Sequence, residues 1–333
     1  MRWGLIGASH IAETRMIDSI RSLGHDIVGV LSSSVDHVAA FAERTGIEHY
    51  TNSIDEFLSW DMDCVYVSST NNLHSLHAIA SINAGKHVLC EKPLATSVED
   101  AKEMNLLADK KSVVLATNHH LRSSPSHQMA KSIIQSGKIG KVLSMQMNWT
   151  ICFRGWHREW LYSDIDRGAG VFFNLTVHHA DLARFLLGEN LISVSADCNN
   201  LGFEKPGLPD ESVCVFVSES GVLVSTHESF NVPFSESSLE IFGSEGTIFI
   251  RGAMSQDPDS ELYLGSEYGV EAIDCGEPYD LYAKTLVSFE NAILYGHSPS
   301  STGIDGLHSS SAAIAAQLSS REGKRIMIEG LMV

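Results

Sequence analysis

An α/β chain of two domains, a doubly wound parallel sheet followed by an α+β domain with a mainly antiparallel sheet, is predicted by three observations. Over the first 120 residues short apolar runs alternate with helix-spaced apolar patterns, as βαβ units require. After residue 120 period-two stretches appear, ending in turn residues such as Ser-Gly and Gly-Ser-Glu-Gly. The length of 333 residues exceeds one ordinary domain, so a division into 1–120 and 121–333 is expected.

In order along the chain, buried strands are predicted at 3–6, 27–31, 64–68, 88–90 and 113–117, because each is a short apolar run bounded by polar or turn residues. Helical spacing of apolar residues fits 11–23, 38–44, 73–83 and 98–108, the last opened by Ser97 with acids in its first turn. A helix is expected near 127–135. Strands follow at 143–150, 191–197, 213–217, 222–228, 238–242 and 247–250, with one face covered. Two late helices, around 281–294 and 304–318, are expected to pack back on one of the domains.

Composition narrows the function classes. There are 41 acidic against 23 basic side chains, a formal charge of −18, which argues against nucleic-acid and anionic-membrane partners. The acidity is local: residues 197–290 hold 18 acids and 3 bases, away from the segments considered below for phosphate binding. Six scattered cysteines without a CxxC pair fit reduced thiols and a cytoplasmic location. The first residues read as a strand rather than a signal peptide, and no apolar run is long enough to span a membrane. No His, Cys or Asp set has zinc-site spacing, so no metal is expected, and no GxSxG elbow supports Ser-His-Asp hydrolysis.

Gly7, Ala8, Ser9, His10, Ile11 and Ala12 stand between the first strand and the first helix, where a Rossmann GxGxxG/A fingerprint belongs. Gly7 permits the tight turn, Ala12 permits close helix–strand packing, and the helix N-terminus offers N–H groups to a pyrophosphate. Ser9 departs from the pattern, which has glycine there. At the end of the second strand, where Asp or Glu would bind the ribose of NAD, the chain reads Leu31, Ser32, Ser33, Ser34. NADP(H) is therefore favoured, with His37 as an added positive group when protonated. NAD(H) stays open because Asp36 argues the other way, and a solvated turn also accounts for the serines.

Further motifs carry a resemblance. These are Ser69-Thr70-Asn71-Asn72-Leu73-His74, then Ala84-Gly85-Lys86-His87-Val88-Leu89-Cys90-Glu91-Lys92-Pro93, and later Val177-His178-His179-Ala180-Asp181. Together they resemble the Gfo/Idh/MocA family of sugar and cyclitol oxidoreductases over nearly the whole chain. The resemblance implies a large open sheet in the second domain, a possible homodimer through that sheet, a small-molecule sugar substrate and a nicotinamide cofactor. It implies cofactor contacts from Ser9, Ala12, Ser32, Ser33, Ser69, Thr70, Asn71, His74, Glu91, Lys92, Asn118, Trp156, His157 and Tyr282. His37 stands where an arginine would flank the 2′-phosphate, which weakens strict NADP specificity.

Reducing a ketone by hydride transfer needs a proton donor and positive charge at the developing alkoxide. Lys92, just past a buried strand and followed by Pro93, is expected to polarise the carbonyl; a surface lysine is the plain alternative. His178 is expected to donate the proton, a core or capping histidine being its plain alternative, and His179 is read as structural. Asn174, four residues earlier, stands where the family has aspartate, and it cannot hold charge or take up a proton. Gly168, Ala169 and Gly170 let the backbone pass close under a ligand. His119, His120, Trp156, Arg158, Asn174 and His178 are expected to bind the substrate. The expected function is an NADPH-dependent keto-sugar reductase. A sugar or inositol dehydrogenase and a non-catalytic dinucleotide sensor are the alternatives.

Overall fold

The computed structural model describes residues 1–152, 168–201 and 208–332. They divide into two compact units, Met1–His119 with Tyr282–Leu307, and His120–Leu281 with His308–Val333. Among the described residues no helix is long and apolar enough to cross a membrane.

The first unit carries a six-stranded sheet in the order β3-β2-β1-β4-β5-β6, with every pairing parallel. Its strands are β1 (Arg2–Ile6), β2 (Asp26–Leu31), β3 (Tyr50–Thr51), β4 (Cys64–Val67), β5 (His87–Cys90) and β6 (Leu115–Thr117). Every residue of β4 is buried, as a strand covered on both faces must be. Trp3, Leu5, Tyr66 and Leu89 pack with Met16 and Ile20, with Val38 and Phe41, and with Tyr282, Leu286 and Phe289 of the helix Leu281–Tyr295. The sequence pattern does not mark β3 or the helix Ile54–Ser59, because neither is long enough to display a period. It also starts one helix late. The helix Val35–Thr45 begins three residues before residue 38, because the Ser34 hydroxyl accepts from the His37 N–H and caps it.

The second unit is built on a nine-stranded sheet in the order β14-β13-β12-β11-β7-β10-β9-β8-β15. Its strands are β7 (Val142–Thr150), β8 (Leu191–Asn199), β9 (Glu211–Ser218), β10 (Leu223–Ser229), β11 (Ser238–Gly243), β12 (Thr247–Arg251), β13 (Glu261–Ser266), β14 (Gly269–Ile273) and β15 (Ile326–Met327). Only β7 and β10 run parallel; the other pairs are antiparallel. Along β9, Cys214 and Phe216 are buried while Val213 and Val215 are exposed, so one face is covered. Ala130 and Ile133 of the helix Pro125–Gln135, Ala180 and Leu182 of the helix Val177–Leu187, and Ala312, Ala315 and Ala316 join that core. β13 and β14 were not expected from the sequence, since β14 is an exposed edge strand with no buried face to impose alternation.

Candidate functional sites

In the first unit the fingerprint turn lies against the end of β4. Gly7 has φ +112°, and a Cβ added there would lie 2.6 Å from the Ser68 carbonyl carbon and oxygen. Only glycine fits that approach. Ser9, where the fingerprint has glycine, ties the turn together: its hydroxyl donates to Ser68 Oγ at 2.8 Å and accepts from the Ala12 N–H at 3.2 Å. Ala12 is fully buried, as close packing of helix on strand demands. The helix itself opens with a π-helical turn, Ala12–Met16, before Ile17–Ser22. Gly7→Ala should cost about 1–3 kcal/mol of backbone strain and push the Ser68–Ser69 edge outward. Dinucleotide affinity, read by fluorescence titration, should fall at least about tenfold, with a lowered Tm.

At the β2 end, Ser32 and Ser33 follow the strand, and Ser34 is used as a helix cap. His37 is exposed, and its Nε2 lies 2.9 Å from the Ala8 carbonyl oxygen, so the ring straps this helix to the fingerprint turn. His10 begins the first helix and is exposed, with Ile11 half-buried beside it.

The strand ends β4, β5 and β6 bring a polar cluster together. Glu91 is 7% exposed and accepts from Tyr66 Oη and from Asn118 Nδ2, both at 2.6 Å; its other oxygen faces the Lys92 N–H at 3.3 Å. Burial pushes the Glu91 carboxyl above its ordinary range, while the bonds from Tyr66 and Asn118 act the other way. Burial likewise holds the Lys92 ammonium below the ordinary lysine range, against the pull of the Glu91 charge. The Lys92–Pro93 peptide is cis. Asn118 is fully buried; with its amide nitrogen committed to Glu91, its Oδ1 has no hydrogen-bond partner among the described residues. Tyr66 was missed from sequence; its signal is a tyrosine inside an otherwise aliphatic buried strand.

His74 lies at the same strand ends. It is 1% exposed, and its two ring nitrogens face the Pro93 and Ser69 carbonyl oxygens at 2.7 and 3.0 Å. Its partners are thus backbone groups of the β4 and β5 ends. Burial outweighs both bonds and holds its pKa down to about 4. Ser69 Oγ pairs with His77 Nδ1 at 2.9 Å, and Thr70 Oγ1 donates to Asn72 Oδ1 at the same distance. Asn71 is buried, and His119 is 1% exposed. Tyr282 is also 1% exposed and packs within the apolar core of this unit.

Two features here fit a nicotinamide dinucleotide. The Gly7 turn leaves the close approach that a pyrophosphate needs, and the orphaned Asn118 Oδ1 is an acceptor suited to a carboxamide N–H.

In the second unit, His178 is 3% exposed at the start of the helix Val177–Leu187. Its ring meets His120 edge-on at 5.5 Å between centroids, and Trp149 at 5.2 Å. Trp149, near the end of β7, was not singled out from sequence. His179 is fully buried and bonded through Nδ1 to Glu228 Oε1 at 2.7 Å, while Ser212 donates to Glu228 Oε2 at 2.8 Å. This agrees with a structural reading of His179. Asn174 lies in a π-helical turn, Phe172–Thr176, that leads into the helix carrying His178. The Asn174 amide donates to the Gly170 carbonyl at 2.8 Å. Gly170 itself has φ +96°. Trp156, His157 and Arg158 lie outside the described residues. Among those that are described, no group of three or more His, Cys, Asp or Glu side chains is placed to hold a metal ion.

Comparison with known proteins gives a consistent result. Residues 1–119 match the family described as "Oxidoreductase family, NAD-binding Rossmann fold", and residues 127–249 match the "GFO/IDH/MocA C-terminal domain". The chain is 36% identical over 329 residues to a 1,5-anhydro-D-fructose reductase of Ensifer adhaerens, covering 98% of each chain. It is 29% identical over 340 residues to a myo-inositol 2-dehydrogenase of Thermotoga maritima, covering 98% of this chain and 96% of that one. A levoglucosan dehydrogenase solved with NADH and levoglucosan superposes with a TM-score of 0.87 at 23% identity, over 98% of this chain and 99% of that one. That last likeness speaks to the fold alone.

Proposed function

Because this chain belongs to the Gfo/Idh/MocA family of NAD(P)-dependent oxidoreductases, we propose that it is a cytoplasmic NADPH-dependent reductase of a keto sugar resembling 1,5-anhydro-D-fructose. The supporting observation is the Glu91, Lys92 and Asn118 cluster at the strand ends of the parallel sheet, the edge at which such sheets bind ligands.

The dinucleotide, when bound, supplies the hydride. Gly7, Ser9 and Ala12 would take its pyrophosphate, Ser32 and Ser33 its 2′-phosphate, and Asn118 its carboxamide. Lys92 places an ammonium at the substrate carbonyl oxygen and stabilises the alkoxide that forms there. His178 is the proton donor of the reduction. His120 and Trp149 hold the sugar, an indole face suiting its C–H surface and imidazole its hydroxyls. Asn174 offers a hydrogen bond but no proton, so proton transfer falls to His178 without a neighbouring carboxylate at that position.

The test is to follow loss of reduced-dinucleotide absorbance with a panel of keto sugars. Turnover with NADPH is expected, at a kcat/KM at least about tenfold above that with NADH. An equal or reversed preference would assign the cofactor as NAD(H). The likeness to myo-inositol 2-dehydrogenase supports a second reading, oxidation of a sugar or cyclitol alcohol, in which His178 accepts the proton instead. Turnover with cyclitols and oxidised dinucleotide, and none with keto sugars, would establish it. Tight dinucleotide binding without any turnover would sink both enzyme readings and leave a dinucleotide sensor.

A further inference from the structure

A buried ion pair lies beside the candidate proton donor. Arg122, 6% exposed, donates from Nε to Asp181 Oδ2 at 2.8 Å and from Nη2 to Asp181 Oδ1 at 2.6 Å; Asp181 is 2% exposed. Arg122 belongs to the 3₁₀ turn His120–Ser123, two residues after His120. Asp181 belongs to the helix Val177–Leu187, three residues after His178. The pair therefore bridges the segments that carry the two imidazoles meeting edge-on.

Net stability is a poor explanation of such a pair. Removing two charges from water costs about as much as their attraction returns, and apolar side chains of similar volume fill the same space as well or better. What an apolar pair lacks is direction. A guanidinium and a carboxylate joined by two parallel bonds fix both distance and relative orientation. The rest of the turn is held in the same spirit. Gln128 donates to the Arg122 carbonyl at 2.6 Å, and His127 Nδ1 lies 2.8 Å from the Leu121 carbonyl, so the helix Pro125–Gln135 grips the turn's backbone. The guanidinium also sits 5.4 Å from the ring centroid of Phe185, one helical turn beyond Asp181.

We propose that Arg122 and Asp181 are positioning residues, a two-bond clamp that locks the turn carrying His120 onto the helix carrying His178 and so sets the geometry of the two imidazoles. The proposal rests on His178 as proton donor for its kinetic consequence, but its geometric content stands apart from any activity.

The test uses the full chain. Removing one partner alone breaks both bonds of a buried ion pair and risks unfolding, so the informative variant is the double replacement Arg122→Met with Asp181→Leu, which keeps the volume and removes both charges. It should fold, with near-ultraviolet circular dichroism and a Tm close to wild type, and should bind NADPH with unchanged affinity. The nuclear Overhauser cross-peak between the His120 and His178 rings should be lost or weakened severalfold. kcat should fall about 10²-fold, as displacement of a reacting group by an ångström costs, with the KM for dinucleotide unchanged. A folded double variant that keeps the wild-type cross-peak and kcat overturns the proposal.

Should the double variant not fold, Arg122→Lys retains the charge without the fork and gives the same reading: a weakened cross-peak supports the clamp, and an unchanged one overturns it. If the wild type proves inert as an enzyme, the cross-peak still decides the clamp, so the two failures are distinct.

Discussion

Replacing His178 by alanine should lower kcat by about 10²–10⁴-fold, the usual contribution of a positioned general acid. Dinucleotide binding should be untouched, because the described residues assigned to it belong to the parallel-sheet unit. The ring is 3% exposed and packed by His120 and Trp149, so truncation also leaves a cavity. His178→Gln fills that space while lacking a transferable proton, and it should show the same loss of kcat with a smaller loss of Tm. Steady-state kinetics on both variants, with dinucleotide affinity measured separately, checks this. A glutamine variant that turns over at the wild-type rate would remove His178 from proton transfer.

Lys92→Met should lower kcat by about 10²–10³-fold, the magnitude of losing one oriented donor at a developing oxyanion. Methionine keeps the apolar stem, so folding should survive. The buried Glu91 charge then lacks its cationic neighbour, although Tyr66 and Asn118 still bond it. The pH dependence has a definite sign. Lys92 works as a cation, and burial lowers its pKa from the ordinary lysine value, so the charge is present at low pH and lost as pH rises through the lowered value. The alkaline fall of kcat/KM should therefore lie below the pH at which an ordinary lysine deprotonates. Lys92→Arg, which does not titrate in that range, should lose the part of the fall that Lys92 contributes and keep any part that follows deprotonation of the His178 donor, with a reduced maximum because guanidinium geometry differs from that of an ammonium. A pH–rate profile of the three proteins settles the point.

Much of the fold was legible because its signals are local. Aliphatic runs bounded by polar residues mark β1, β2, β4 and β5 whatever else the chain does, and the fingerprint and the Glu91-Lys92-Pro93 segment sit at strand ends where the pattern places them. Elements too short or too exposed to show a period, namely β3, β14 and β15, left no such mark. In the candidate sites, residue types were readable but partners were not. Ser9 reads as a blemish in a glycine pattern, and only its bond to Ser68, 59 residues away, shows it to be a tie. Nor does the sequence show that both His74 nitrogens face backbone carbonyls. The interval from Asn174 to His178 is readable in the sequence, but the π turn that Asn174 occupies is not.

The sequence by itself determined the class of fold and the family, because apolar periodicity and motif spacing act between neighbours in the chain. Tertiary structure alone decided that Asn118 presents its oxygen rather than its amide nitrogen, that Glu91 is buried beside Lys92, and that Arg122 grips Asp181. The physical reason is the same in each case. A polar group's orientation and charge depend on desolvation and on the partner that meets it, and both are supplied by segments far apart in the chain that meet only when the sheets are built.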